Sequence, residues 1–114
     1  MGCEYLNTCE EVIDVLGAIQ ARNLCAMLDT ASSLSAGNNP IHEMRDLGTQ
    51  IVHLHLSEPD LAPLDPASLD YAGLGQACKD YRNGDVWASI EMLRTGDQWQ
   101  GDCRHAITLI QDCF

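Results

Sequence analysis

With 114 residues, 46% of them hydrophobic and 20% charged, the chain has room for one domain with a real core. Its formal net charge of −11 repels phosphate backbones and anionic headgroups, which argues against nucleic-acid and membrane partners. No apolar run approaches the roughly 20 residues that span a bilayer, and residues 1–8 lack the basic stretch and apolar core of a secretory signal, so a cytoplasmic protein is expected.

The six cysteines, Cys3, Cys9, Cys25, Cys78, Cys103 and Cys113, form no C-x-x-C pair and no metal-ligand spacing. Reduced thiols packed as small hydrophobes are expected. Thr8-Cys9-Glu10-Glu11 is a capping box, and Val12, Val15, Leu16 and Ile19 follow at helical spacing. The apolar run 24–28 then reads as a short strand ending on Asp29. A loop rich in Ser, Gly and Asn is predicted through Asn38. Asn39-Pro40 is a cap and first-turn pair for a helix carrying Ile41, Met44 and Leu47, closed by Gly48.

A second strand is predicted over 51–56, with Ile51, His53 and His55 on one face and Val52, Leu54 and Leu56 on the other. The loop over 57–66 holds three of the four prolines. Asp70 can cap a helix whose stripe is Tyr71, Leu74, Cys78 and Tyr81, with Asn83-Gly84 to end it. A third strand is predicted over 86–92, placing Trp87, Ser89 and Glu91 opposite Val86, Ala88, Ile90 and Met92. The last helix aligns Ala106, Leu109, Ile110 and Cys113. Strand onsets near 24, 51 and 86 lie about 27 and 35 residues apart, against roughly 30 per unit in an eight-unit barrel. That order, one helix and then three strand–helix units, suits part of an α/β barrel or a small open parallel sheet.

Each predicted strand ends in an ionisable group. In a parallel α/β sheet the C-terminal strand ends share one rim, so Asp29, His55 and Glu91 could converge there. Two carboxylates and an imidazole suit Mn²⁺, Mg²⁺, Co²⁺ or Zn²⁺. His53 shares the face of His55 and is either a donor supporting the site or a hydrogen-bonded core histidine. Trp87 could line a pocket, although core packing is the expected role. His42 and His105 fall on helices and are expected to be solvated.

The segments Met27-Leu28-Asp29-Thr30, Ile51-Val52-His53-Leu54-His55-Leu56-Ser57-Glu58 and Ala88-Ser89-Ile90-Glu91 resemble the xylose-isomerase-like TIM-barrel sugar isomerases and epimerases. The nearest branch is the D-tagatose and D-psicose 3-epimerase group. Glu4-Tyr5-Leu6-Asn7-Thr8 is similar to the stretch that opens the family's fifth helix, and Asp70-Tyr71 to another helix opening. The resemblance implies a partial TIM barrel over 1–114, with about three C-terminal strand–helix units and parallel strands. It implies a divalent metal (Mn, Co or Mg, with Zn a further option) held by Asp29, His55 and Glu91, and a sugar or sugar phosphate as substrate. Glu91 would also move a proton on the carbon next to the substrate carbonyl. Glu58, three residues after His55, lies near the site in that family, although a solvated loop carboxylate reads equally well.

The departures carry weight as well. The family's other metal-binding and proton-transferring glutamate would fall before Met1, and a substrate-binding glutamate aligns on Gly2. A substrate histidine is replaced by Ser32 and an arginine by Leu61. The expected function is therefore the C-terminal portion of a ketose isomerase or epimerase, inactive without an N-terminal half. The alternative is a non-catalytic relic or regulatory module that keeps the fold. Three barrel strands would leave open edges, so self-association or a complementary N-terminal half is expected. Apurinic endonucleases share this barrel, but the acidic charge opposes DNA binding.

Overall fold

A computed structural model describes residues 6, 8–82, 86–94 and 96–114. Met1, Gly2, Cys3, most of the stretch 4–7 and the Asn83-Gly84 helix stop lie outside the described residues. Helix α1 (Cys9–Ile19) starts at the capping box, with the Thr8 hydroxyl and the Glu11 carboxylate each accepting the other's backbone N–H at 3.3 Å. Strand β1 (Ala26–Asp29) follows. The predicted loop after Asp29 instead contains a short helix, α2 (Thr30–Ser35). Asp29 itself caps it, accepting the Ser32 N–H at 2.8 Å, so the small polar residues are drawn into a helical turn. Asn39 and Pro40 start α3 (Pro40–Leu47), and Gly48, at φ 47°, closes it.

Strand β2 (Ile51–Ser57) runs one residue further than expected. A 3-10 turn (Pro59–Leu61) and an irregular loop lead to Asp70, which caps α4 (Tyr71–Tyr81). Strand β3 (Trp87–Glu91), a third 3-10 turn (Gly96–Gln98; the first, Gly48–Gln50, leads into β2) and α5 (Trp99–Cys113) complete the order. The strands form a three-stranded parallel sheet with β2 in the centre. Among the described residues no helix is long and apolar enough to cross a membrane.

One face of the sheet packs on the helices. Ala26, Leu28, Ile51, Leu54 and Leu56 join Met44, Leu47, Tyr71, Leu74, Ala77, Cys78 and Ala106 in a single buried cluster. Each fully buried aliphatic side chain contributes about 1.5–3 kcal/mol. The place of Ile51 corrects the strict alternation expected for β2. Ala26 pairs with Ile51 and Met27 with His53, so Val52 is an extra residue in a bulge. Ile51 therefore shares the core face of Ala26, Leu28 and Leu54, while Val52 is exposed. Two predicted stripe residues also leave the core, since Ile19 and Tyr81 close helices that run past it. Tyr81 instead carries the Arg45 guanidinium 5.8 Å from its ring centroid.

The other sheet face is largely open. Met27, Val52 and Trp87 on it are exposed, Trp87 by 80%. The core role expected for Trp87 is thus overturned: at the start of β3, where Ala88 is exposed as well, none of the described residues covers it. Cys25 is another correction. It precedes β1 and is exposed, whereas Cys9 and Cys78 are buried as expected.

Candidate metal centre

The parallel register places the three strand-end groups side by side. Asp29 pairs with His55, and His55 with Ser89, two residues before Glu91. All three project from the open sheet face at the C-terminal ends of their strands. His55 Nδ1 lies 3.7 Å from Asp29 Oδ2 and 3.4 Å from Glu91 Oε2. These separations are longer than ordinary hydrogen bonds but within ion-pair reach, so the imidazole stands between the two carboxylates. One donor atom from each residue lies within 4.8 Å of the other two. Ligands on opposite sides of a cation at about 2.1 Å stand about 4.2 Å apart, so the widest pair would close by up to roughly 0.6 Å on binding. Nitrogen and carboxylate donors in this ratio fit a hard or borderline divalent ion.

The surroundings hold the donors unequally. Asp29 Oδ1 accepts the Ser32 N–H at 2.8 Å and the Ser57 hydroxyl at 3.2 Å, leaving Oδ2 toward His55. His55 meets the ring of His53 edge-on, with centroids 5.0 Å apart. His53 in turn pairs its Nε2 with Ser89 Oγ at 2.8 Å, so it packs against the cluster without joining it. Glu91 is the most open donor, with 47% of its side chain exposed against 29% for His55 and 23% for Asp29.

Glu58 is neither solvated nor one of the converging donors. It is 3% exposed, and its Oε1 accepts the Tyr71 hydroxyl at 2.7 Å, the Ser68 hydroxyl at 2.5 Å and the Asp65 N–H at 3.1 Å. Burial, then the bond to Glu58 and its charge, push the Tyr71 phenol far above its usual range. Glu58 thus ties the loop after β2 to the start of α4. His42 and His105 are exposed on α3 and α5, as expected.

Sequence reasoning gives Ser57 and Thr30 no role, yet both touch the cluster. The signal for Ser57 is its spacing: it continues the His53, His55 alternation by two more residues. Ser32 and Leu61, the two described departures from the family pattern, serve local structure. Ser32 lends its amide to Asp29, and the Leu61 carbonyl accepts the Leu93 N–H at 2.8 Å.

No family model matches the chain. Among curated proteins, D-psicose 3-epimerase of Enterocloster bolteae is 37% identical over 75 residues, which make up 66% of this chain and 25% of that protein. The match therefore spans about a quarter of the relative's length.

Proposed function

We propose that this chain is the C-terminal portion of a divalent-metal-dependent ketose isomerase or epimerase, contributing three strand–helix units of a TIM barrel. The observation that carries the reading is the convergence of Asp29, His55 and Glu91 at the ends of adjacent parallel strands. The similarity to D-psicose 3-epimerase adds the reaction class. On this reading Asp29, His55 and Glu91 hold Mn²⁺, Co²⁺ or Mg²⁺, with Zn²⁺ also accommodated. When bound, the cation draws electron density from a substrate carbonyl and acidifies the neighbouring C–H.

The residues divide the remaining work by their mobility and access. Asp29, fixed through Oδ1, is a stationary ligand. Glu91, the most exposed of the three, can remove or return the proton next to the carbonyl. Inversion at that carbon needs a second acid–base group on the opposite face. In this proposal that group, together with most sugar contacts, comes from an N-terminal half. The substrate is a free sugar or sugar phosphate, and the setting is cytoplasmic.

Calorimetric titration with Mn²⁺ tests the metal site. One ion should bind per chain, and His55→Ala should abolish binding; no binding by wild type, or equal binding by the variant, would defeat it. Epimerase assays on ketohexoses, with and without a supplied N-terminal half, test the catalytic claim. Turnover is expected only with the complement. Metal binding without turnover in either case would favour a second reading, a non-catalytic or regulatory module. Ser32 and Leu61 support that second reading, because a histidine and an arginine are expected there in a working relative.

A further inference from the structure

Among the described residues, Ser57 stands next to all three candidate donors, by strand position, by register and by a hydrogen bond. It follows His55 by two positions on the same strand face, pairs in register with Glu91 and donates its hydroxyl to Asp29 Oδ1 at 3.2 Å. It is also fully buried, as is Thr30. A hydroxyl removed from water is tolerated only when hydrogen-bonded, and here the bonds close into a knot. The Ser57 N–H donates to Thr30 Oγ1 at 2.8 Å, and the Thr30 hydroxyl donates to the Ser57 carbonyl at 2.6 Å. The Ser57 hydroxyl oxygen accepts the Ala31 N–H at 3.2 Å. Thr30 Oγ1 also lies 3.3 Å from the carbonyl of His55. The end of β1 is thereby bolted to the end of β2, across 27 residues of sequence.

We infer that Ser57 and Thr30 are positioning residues for the metal centre, fixing the Asp29 carboxylate so that Oδ2 faces His55. The inference rests on the metal reading above. Without the Ser57 hydroxyl, Asp29 Oδ1 keeps only the Ser32 amide, and the carboxylate can turn about that single anchor. Groups that orient a ligand in this way change metal affinity by about 10–100-fold when removed.

The test is a Co²⁺ titration of the full chain, followed by visible absorption, with apo thermal unfolding measured in parallel. Ser57→Ala should weaken Co²⁺ about tenfold and alter the ligand-field bands, which report donor geometry. Thr30→Val, of nearly unchanged shape, should act in the same direction and carries the test if Ser57→Ala does not fold. Thr30→Ser, which keeps the hydroxyl, should stay close to wild type. A merely structural role would lower the unfolding temperature while leaving affinity and spectrum of the folded variants unchanged, and that result would overturn the inference while leaving the metal site standing. Absence of Co²⁺ binding by wild type would remove both together.

Discussion

The thiols show how far environment sets the chemistry of a single residue. Burial, then the charges of Glu43, Asp46 and Glu10, push the Cys9 pKa up to about 12. Burial pushes Cys78 up to about 11, although Arg82 and Lys79 pull the other way. Cys25 is exposed. Because the thiolate is the nucleophile, iodoacetamide at pH 8 should label Cys25 well before Cys9 or Cys78, as read by peptide mass mapping. Equal labelling of all three in the folded chain would contradict the packing. The raised values also favour the folded state while both thiols stay protonated. That contribution is intact below the unfolded value of 9.0 and is lost as pH rises through about 11 for Cys78 and about 12 for Cys9. The denaturant midpoint should fall over that window, and less steeply in Cys78→Ala.

At this scale Asp29, His55 and Glu91 are legible in the sequence because each combines an ionisable type with a strand-end position. For Thr30 and Ser57 only the position is legible, Ser57 by alternation and Thr30 beside Asp29, since a hydroxyl looks the same in sequence whether it meets water or a partner 27 residues away. The exposure of Trp87 is hidden for a related reason: alternation tells which face a side chain takes, not what covers that face.

Among the elements, α4 and α5 make the closest approach that the structure explains by a missing side chain. A Cβ on Gly75 would collide with the Cys113 carbonyl and press on Phe114. Gly75→Ala should therefore destabilise by about 1–3 kcal/mol through forced separation of the helices. Gly101, on α5, has open space within 4 Å of where an added methyl would stand, and Gly101→Ala should stabilise by about 0.5–1 kcal/mol. Thermal unfolding of the pair checks both signs. The caps of α1, α3 and α4 are legible because they depend on residues within four positions. Helix α2 is hidden, since Asp29 reads as a strand end and also starts the helix.

For the molecule as a whole, the open face of the sheet is the dominant feature. Parallel sheets are ordinarily covered on both faces, yet Met27, Val52 and Trp87 stand exposed beside the cluster. Self-association at high micromolar concentration is the expected outcome. Light scattering should report masses above 12.5 kDa, Trp87→Lys should lower them, and added salt should raise them by screening the net charge of −11. A monomer insensitive to salt would refute this. The strand–helix order is evident from periodicity, whereas the exposure of this face depends on which surfaces the helices reach.

The bulge at Val52 gives β2 an uneven tolerance to changes in length. Because Ala26 faces Ile51 and Met27 faces His53, deleting Val52 would straighten the strand and leave both pairings in phase. Deleting one residue between His53 and His55 would rotate the imidazole at the rim to the helix side, since side chains alternate strictly along the regular part of the strand. The strand thus has one position where length can drift and, a few residues on, none at all.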